Sequence, residues 1–441
     1  MTLQISDYLD NYLQLCREKN VFSVPSLCRS LQNAIDVGTA PDAFYLSGTQ
    51  SDLTHTRLTD AYVDILIKPL VTCGVVLRQL DMSCNEIGDE GATALAKFLK
   101  DDGSLETLNL RANSIQPTGI AALSRALHIN ERLHTLDISS NNIGGSGGME
   151  LANMLQLNST LRTLSIASGG ISAAGLIALS TVLCNNTTLA ALDLSNNFAV
   201  PYSRSATADI MRHFATMLEC NFSLTVIGCR KMRILDEDLR ECWGKAVGVN
   251  LRITELDLSA NTITRDGSVI LFKALHGHPS LTTLKLSSCQ IQDEGAEAVA
   301  AMLPNNYTLT TLYIDYGGIT GVGLIAIAKA LPHNQALKRI HVWGNKWDTA
   351  ACEIWAPLLG GPQVDVHTSD NLHERLARPG ALFPVDGRRT VSVHAKSADN
   401  TDAAAAASSR TIARLYDTDV DVVFYGVEGV PCVARRGVKA K

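Results

Sequence analysis

The 441-residue sequence has few aromatic residues (5%) and no long hydrophobic run, although 46% of it is hydrophobic. Aliphatic side chains such as those of leucine and alanine must therefore fill the core. No uninterrupted apolar run reaches the roughly 20 residues that span a bilayer. The start of the chain also carries Asp7 and Asp10 where a signal peptide has basic residues. We therefore expect a soluble, cytoplasmic protein that has no membrane partner.

Positive charge is scarce as well, because the net charge is -6 and so provides no general attraction for nucleic acid. The sequence has no phosphate-binding loop, no metalloprotease helix, no serine-hydrolase elbow and no Cys/His cluster with metal spacing. His276 and His278 are interpreted as loop or surface residues, because two residues at that spacing face different ways. The sequence therefore predicts no enzyme, no catalytic residue, no metal, no cofactor and no small-molecule substrate.

The eleven cysteines are odd in number, spread thinly and without a Cys-x-x-Cys pair, which indicates reduced and mostly buried thiols. Several Asn-x-Ser/Thr sequences occur, among them those at Asn158, Asn186, Asn221 and Asn306. Each lies just before a leucine, at the same place in a regular period. We interpret them as part of that period and not as signs of secretion.

A repeat dominates the sequence. The segment from Leu77 to Leu99 is echoed by the segment from Leu105 to Leu127, and the two first leucines are 28 residues apart. The same frame begins again at Leu133, Leu161, Leu189, Leu224, Ile253, Leu281, Leu309 and Leu337. Ten units of L-x-x-L-x-L-x-x-N-x-I, each with an amphipathic tail, predict a strand, a turn and a helix in every unit.

Single units cannot cover their own apolar face, so they must stack, with parallel strands on a concave side and helices outside. Because helices are wider than strands, the stack should curve into a horseshoe. The predicted fold class is therefore an α/β solenoid. A glycine such as Gly119 permits a tight approach near each helix start. A column of asparagines should bond the turns between repeats: Asn85, Asn113, Asn141, Asn197, Asn261 and Asn345, with breaks at Gly169, Cys289 and Gly317.

This frame resembles the long-period leucine-rich repeats of ribonuclease inhibitor, of the Ran GTPase-activating protein and of the sensor portions of innate immune receptors, over about residues 44 to 350. A shorter N-terminal pattern resembles the start of certain leucine-rich repeat proteins of centrosomes and cilia. It consists of Tyr12, Leu15-Cys16-Arg17-Glu18, Pro25, Leu27 and Leu31. An amphipathic helix pair in which Tyr12, Leu15 and Cys16 are core residues explains the same pattern, and both interpretations stay open.

Three regions are predicted along the chain. Residues 1–76 form a helical N-terminal cap with a degenerate first repeat, in which Leu58 is the apolar residue after the strand. Residues 77–356 are the repeats, and residues 357–441 are a C-terminal extension. Within the extension, 397–410 is a flexible Ala/Ser linker, and the alternation of Val420, Val422 and Phe424 predicts a strand.

One spacing is longer than the others, with 35 residues between Leu189 and Leu224. Extra residues around 198–204, before a helix that begins near Ala206, explain it. Insertions in repeat proteins map to loops that often contact partners, although a neutral insertion is an equal explanation here. The next unit also departs from the pattern, with basic residues where small ones are usual: Arg230, Lys231 and Arg233.

The outward strand position reads Asp81, Asn109, Asp137, Ser165, Asp193, Gly228, Asp257, Lys285, Tyr313 and His341 along the repeats. The earlier repeats predict an acidic protein-binding surface made of Asp81, Asp137, Asp193 and Asp257. The last repeats carry aromatic and basic residues, the types that dominate interface energies. They predict a second protein-binding surface, made of Tyr313, Tyr316, Lys338, Arg339, His341 and Trp343. The C-terminal tail could instead cover this second surface as a cap.

The sequence thus predicts a non-catalytic protein–protein interaction scaffold whose partner is a protein. The resemblance at the N terminus, with the aspartate and valine pattern of the tail, implies a structural component of a cytoskeletal or axonemal assembly, located in the cytoskeleton, cilium or flagellum. The alternative is a GTPase-activating protein of the Ran-activator type. That family has a strongly acidic tail, whereas this chain ends in Arg435, Arg436, Lys439 and Lys441. Ligand sensing is a third possibility, but the sequence has no motif of the nucleotide-binding module that precedes the repeats of such receptors.

Overall fold

The computed structural model describes residues 2–54, 56–101, 104–198 and 203–358, together with five short strands between 365 and 435. The chain forms two compact units, Met1–Gly228 and Cys229–Lys441. The predicted linker 397–410 lies outside the described residues, and the predicted division at 76 and 356 stays a prediction.

Unit 1 begins with the two predicted N-terminal helices, α1 (Thr2–Glu18) and α2 (Pro25–Val37), and then alternates strands and helices. Its strands β1 to β7 lie at Ala43–Tyr45, Gln79–Asp81, Thr107–Asn109, Thr135–Asp137, Thr163–Ser165, Ala191–Asp193 and Val226–Gly228. Its helices α3 to α8 lie at Asp60–Cys73, Asp89–Asp101, Pro117–Leu127, Gly144–Leu157, Ala173–Leu183 and Arg204–Cys220. Each strand pairs in parallel with the next one, so that equivalent residues of successive repeats lie side by side.

Unit 2 continues the alternation with parallel strands β8 to β11 at Glu255–Asp257, Thr283–Lys285, Thr311–Tyr313 and Arg339–His341. Its helices α9 to α14 lie at Asp236–Asp238, Gly244–Val249, Arg265–Ala274, Gln292–Met302, Gly321–Ala330 and Thr349–Leu358. A π-helical turn (Leu239–Trp243) joins α9 to α10, and 3-10 turns follow α12 and α13 at Leu303–Asn305 and Leu331–His333.

Five further strands follow α14. They are β12 to β16, at Asp365–His367, Arg389–His394, Ile412–Arg414, Val420–Tyr425 and Pro431–Arg435. The strand predicted from the alternation at Val420 is β15. Strand β13 pairs in parallel with β11, with Thr390 opposite Arg339, and β15 pairs in parallel with β13. The main chain of the extension therefore continues the sheet beyond the last repeat strand.

The core of both units is aliphatic, as the scarcity of aromatic residues predicts. The middle residue of each repeat strand is buried, as Leu136 is between the more exposed Thr135 and Asp137. In β10 the first residue, Thr311, is buried as well. Helix residues at three- and four-residue spacing complete the core, for example Ile120, Leu123 and Leu127 in α5. The predicted α/β solenoid with a parallel sheet is confirmed.

The predicted asparagine column bonds neighbouring repeats. Asn141 is buried, and its Nδ2 donates to the carbonyl oxygen of Leu110 in the preceding repeat (2.9 Å) and to that of Ile138 (3.0 Å). Its Oδ1 accepts the backbone N–H of Ile115 (3.1 Å). Where Cys289 breaks the column, its Sγ donates to the equivalent carbonyl of Leu258 at 3.4 Å. The amide thus satisfies backbone groups that the irregular turn leaves without partners.

A second asparagine column explains the Asn-x-Ser/Thr sequences. The Nδ2 of Asn158 donates to Leu127 of the preceding repeat (2.7 Å), and its Oδ1 accepts the N–H of Leu161 (2.7 Å). Asn186, Asn221 and Asn306 are equally buried and make the same two contacts. Their interpretation as part of the repeat is therefore confirmed.

His278 occupies this second column. It lies in a loop as predicted, but the prediction that it could be a surface residue is wrong. The side chain is 3% exposed. A neutral imidazole offers one N–H donor and one acceptor nitrogen, which is enough to replace the donor and acceptor contacts of the asparagine amide inside the repeat. His276, two residues earlier, is exposed as expected.

The N-terminal helices are packed against the first repeat. Tyr12 and Cys16 are buried, and the hydroxyl of Tyr12 accepts the backbone N–H of Val24 at 2.9 Å. Leu15 is half-buried. These contacts support the interpretation of Tyr12 and Cys16 as core residues. Leu58 is fully buried, as expected for the apolar position of a degenerate repeat.

Glycine near each helix start permits the predicted close approach. A Cβ atom on Gly119 would lie 2.6 Å from Oδ1 of Asp89 and 2.8 Å from Cγ2 of Ile115. The same Asp89 oxygen accepts the backbone N–H of Gly119 at 2.9 Å. The aspartate of one repeat therefore caps the helix of the next, and no larger side chain fits between them.

The long spacing corresponds in part to a longer helix. Helix α8 has 17 residues, whereas α7 of the preceding repeat has 11. It begins at Arg204, close to the predicted start, while residues 199–202 lie outside the described ones. Arg230, Lys231 and Arg233 are exposed, and the last two have a positive φ of 54° and 57°.

Candidate functional site

The strands present one face away from the helices, formed by the residues on either side of each buried middle residue. We call it the open strand face. It carries both surfaces predicted from the sequence. In unit 1 and in unit 2 the parallel register brings equivalent positions of successive repeats to adjacent strands, about 4.8 Å apart.

The acidic residues do not form one cluster. In unit 1 the strands between them place Asn109 between Asp81 and Asp137, and Ser165 between Asp137 and Asp193. Asp257 belongs to unit 2. Each of the four carboxylates accepts the backbone N–H two residues later. These aspartates therefore shape their own turns, a role that the sequence pattern did not separate from binding.

The aromatic residues of the last two repeat strands are brought together in pairs. The rings of Tyr313 and His341 stack, with centroids 4.0 Å apart and planes 12° from parallel. The rings of Tyr316 and Trp343 meet edge to face at 4.8 Å. We call these four residues the aromatic patch. Tyr316 and Trp343 are each 37% exposed, so the patch faces solvent in this structure.

Local backbone geometry positions Tyr316. Its φ is 52°, a left-handed value that recurs at the equivalent position of other repeats, such as Ser140 and Ser288. Its ring lies over the Cα of Gly344, where a Cβ atom would overlap the ring. The φ of Gly344 is 70°. Glycine at this position thus leaves the space that the tyrosine ring fills.

Asp315 is a residue of the site that the sequence prediction missed. It lies on the open strand face between Tyr313 and Tyr316, at a position that is serine in other repeats, such as Ser139 and Ser259. Its carboxylate accepts the backbone N–H of Trp343 (2.8 Å) and the hydroxyl of Ser287 (3.0 Å). Burial raises the pKa of Asp315 to about 6. The departure from serine is the only sequence signal that could have identified it.

A charged pair borders the patch on strands β8 and β9. Lys285 donates to Glu255, and its Nζ lies 5.9 Å from the ring centroid of Tyr313. Burial would lower the pKa of Lys285, but the hydrogen bond and charge of Glu255 outweigh it and raise that pKa. Burial, assisted by the charge of Arg339, lowers the pKa of His341 to about 4. His341 is therefore neutral at pH 7 and stacks as an aromatic ring.

Lys338 and Arg339, the basic residues of the predicted surface, are exposed at the start of β11. The Nε and Nη2 of Arg339 donate to Oγ1 of Thr311 at 3.1 Å and 3.0 Å. Strand β13 of the extension pairs with the main chain of β11 at the sheet edge. Whether the rest of the tail covers the patch stays a prediction.

The open strand face has features of a contact surface. Within the described ranges no group of three or more His, Cys, Asp or Glu side chains is placed to hold a metal ion. In the same part of the chain, no helix combines the length and the apolar character needed to cross a membrane. Exposed aromatic rings, such as those of Tyr316 and Trp343, beside a charged pair are features of a macromolecular contact surface.

Comparison with known proteins places the repeats. The Leucine Rich repeat family matches residues 76–96, 104–124, 130–152, 157–180, 277–300 and 305–328. No curated protein matches the chain.

Many solved structures are similar in part, and three of them illustrate the likeness. Leiomodin-1 Actin-Binding Site 2 is 21% identical, with 32% of this chain and 78% of that chain covered and a TM-score of 0.28. The tropomodulin C-terminal domain of Caenorhabditis elegans is 18% identical, with 36% and 92% covered and a TM-score of 0.30. An internalin of Listeria monocytogenes is 16% identical, with 73% and 85% covered and a TM-score of 0.37. The chain is therefore similar to leucine-rich repeat proteins over six of its repeats.

Proposed function

We propose that this protein is a non-catalytic protein–protein interaction scaffold that holds its partner on the aromatic patch. The observation that carries the proposal is the exposure of Tyr316 and Trp343 on the open strand face, each 37% exposed. By contrast, Trp243 and Trp355 are fully buried in the core. Aromatic rings that pack against each other but not into the core supply large contact area at low entropic cost, which is what an interface anchor requires.

The aspartates on the open strand face of unit 1 form a second proposed contact surface. The carboxylates of Asp81, Asp137 and Asp193 are only partly buried and lie on alternate strands, about 10 Å apart. One oxygen of each accepts a backbone N–H, and a carboxylate has further lone pairs with which to accept from a basic segment of the partner.

We further propose that the protein works within a cytoskeletal or axonemal assembly of a cilium or flagellum. This part depends on the N-terminal resemblance to leucine-rich repeat proteins of centrosomes and cilia. Tyr12 and Cys16 of that pattern are core residues, so packing alone accounts for them. The exposed Arg17 and Glu18 are the part of the pattern that packing does not explain.

Affinity capture of the tagged full chain from its native cell tests the proposal. A triple variant, Tyr313→Ala with His341→Ala and Trp343→Ala, removes three of the four residues of the aromatic patch and leaves Tyr316 without its partner ring. Tyr307→Ala is the matched control, because Tyr307 is an aromatic residue of unit 2 that is 76% exposed outside the open strand face. Urea unfolding of all three proteins confirms that they are folded.

We expect the full chain and the Tyr307 variant to recover the same cytoskeletal or axonemal proteins, and the triple variant to lose them. Recovery unchanged by the triple variant would move the binding site away from the patch and contradict the proposal. Recovery of a small GTPase whose hydrolysis the chain accelerates would replace the scaffold with an activator of the Ran-activator type.

A further inference from the structure

We infer that the aromatic patch and Asp315 together bind the side-chain cation of an arginine or lysine of the partner. The inference rests on the proposed function, because it names the chemistry of the group bound at the same surface. It adds a specific site, the carboxylate of Asp315 with the rings of Tyr313, Tyr316 and Trp343 around it.

Geometry places the carboxylate between the two aromatic pairs. Asp315 follows Tyr313 by two residues on the same strand face, and one of its oxygens lies 2.8 Å from the backbone nitrogen of Trp343. Tyr316, the next residue, contacts the Trp343 ring at 4.8 Å. One pair therefore borders the carboxylate on each side, and the Tyr316 and Trp343 rings leave part of their surface open to solvent.

The Asp315 carboxylate can accept further hydrogen bonds. One oxygen accepts the backbone N–H of Trp343 and the other accepts the hydroxyl of Ser287. An ionised carboxylate has about four lone-pair sites, so it can also accept from a guanidinium or ammonium group. Aromatic faces attract the same cations, and the ring of Tyr313 already has the ammonium of Lys285 at 5.9 Å.

The neighbouring charges leave room for a cation. On β9, Lys285 is compensated by Glu255 of β8, and Asp257 of β8 adds a further negative charge. On β11, His341 is neutral at pH 7 because burial lowers its pKa to about 4. Arg339 of β11 donates to the hydroxyl of Thr311, the first residue of β10, whereas Asp315 follows the other end of that strand.

Binding of an anion at the same place is disfavoured, because the half-buried carboxylate of Asp315 would repel it. Burial also makes the ionised form of Asp315 costly, as its pKa of about 6 indicates. A bound cation would offset that cost. A group kept in an unfavourable ionisation state on an open surface is typical of a functional site.

Fluorine NMR of the full chain labelled with 5-fluorotryptophan tests the inference. The chain has four tryptophans, and a Trp343→Phe variant assigns the signal of Trp343. The probes are the blocked amides of arginine, lysine, citrulline and glutamate, each titrated alone. Citrulline has the shape of arginine without its charge. Signals of the buried Trp243 and Trp355 report whether each variant is folded.

We expect the arginine or the lysine amide to shift the Trp343 signal in a saturable way, while citrulline and glutamate do not. Asp315→Asn should weaken the affinity about tenfold, the effect of losing one charge-assisted hydrogen bond. Glu297→Gln, which changes an exposed carboxylate on α12 away from the open strand face, should leave it unchanged. Lowering the pH from 7.5 to 5 should weaken binding about tenfold as Asp315 is protonated.

An equal response to citrulline, a response to glutamate instead of arginine, no response to any probe, or an affinity left unchanged by Asp315→Asn would each overturn the inference. The outcome is separable from that of the proposed function. If the cation binds but the triple variant still captures the partner, the site stands and the scaffold proposal fails. If no cation binds but capture depends on the patch, the scaffold proposal stands and the cation site fails.

Discussion

The imidazole Nε2 of His278 lies 3.1 Å from the carbonyl oxygen of Val247 in the preceding repeat. The Nδ1 of the same ring accepts the backbone N–H groups of Ser280 (3.3 Å) and Leu281 (3.1 Å). In the next repeat Asn306 uses its amide for the same contacts. These contacts require a neutral ring with its proton on Nε2, because protonated Nδ1 would lose both acceptor contacts.

The first prediction concerns pH and His278. Burial lowers the pKa of His278 below its usual value, so the folded state takes up a proton less readily than the unfolded chain. The stability that the neutral ring supports is complete above about pH 6.5 and is lost as pH falls through the lowered pKa. At pH 8 we expect the free energy of unfolding of His278→Asn to lie within about 1 kcal/mol of the parent value. At pH 5 we expect the variant to be more stable than the parent.

Urea unfolding at both pH values measures this effect. The exposed His276→Asn is the control and should follow the parent at each pH. An identical pH response of the parent and of the His278 variant would show that the ring is not a determinant of acid stability.

The second prediction compares two adjacent asparagines. Asn141 is buried and bonds four backbone groups, whereas its neighbour Asn142 is exposed and its side chain bonds that of Gln116. Asn141→Ala leaves buried donors and acceptors without partners and should lower the free energy of unfolding by about 3 kcal/mol or more. Asn142→Ala should change it by less than about 0.5 kcal/mol. Equal effects of the two substitutions in urea unfolding would contradict the role assigned to the column.

The third prediction concerns the effect of the buried Asp315 carboxylate on the free energy of unfolding. Burial raises the pKa of Asp315 to about 6, so the folded state holds its proton more tightly than the unfolded chain does. The resulting stability is complete below about pH 4 and is lost as pH rises through 6. Asp315→Asn should therefore stabilise the protein at pH 7.5, by roughly 1 kcal/mol after allowance for solvent screening at this half-buried site.

At about pH 3 the two proteins should unfold at the same urea concentration, because the carboxyl is then mostly protonated in both states. A variant less stable than the parent at pH 7.5 would mean that the hydrogen bonds from Trp343 and Ser287 outweigh burial.

The fourth prediction concerns the space beneath Tyr316. Gly344 and Gly170 both have left-handed backbones, with φ of 70° and 62°. A Cβ atom on Gly170 would have nothing within 4 Å, whereas one on Gly344 would overlap the Tyr316 ring. Alanine at either position should cost about 1–2 kcal/mol of backbone strain, and Gly344→Ala should cost more because the ring must move.

Urea unfolding of the two alanine variants measures the difference between their free energies of unfolding. The fluorine NMR signal of labelled Trp343 reports whether the Tyr316 ring has moved. If the two glycine substitutions proved equally destabilising, the tyrosine ring would not be held in place by Gly344.

Local pattern was sufficient to predict the repeat, the alternation of strand and helix, and the burial of residues such as Leu136. These features depend on the period of apolar residues, which is a property of neighbours in the chain. The same reasoning predicted the column that contains Asn141 and the outward position of Tyr313 and His341. Parallel pairing of equal repeats then places those two rings side by side without further information.

Other features depend on contacts that no local pattern encodes. His278 is an asparagine substitute only because a carbonyl oxygen of the preceding repeat lies where its Nε2 can reach it. The sequence predicts that the four acidic residues form one surface. In unit 1, however, strand pairing places other residues between them, such as Asn109 beside Asp137. One oxygen of each carboxylate also accepts a backbone N–H of its own turn, as Asp137 does from Ser139.

The sequence by itself determined the fold class and the face of the sheet that carries the exposed residues, because periodic burial is written in residue order. Only the tertiary structure decided which of those residues lie together. Asp315 looks like one more polar residue after a strand, but the neighbouring strands bury its carboxyl, raise its pKa to about 6 and set aromatic rings on both sides of it. Electrostatics depends on distance and on exclusion of water, and both are set by residues far apart in the chain.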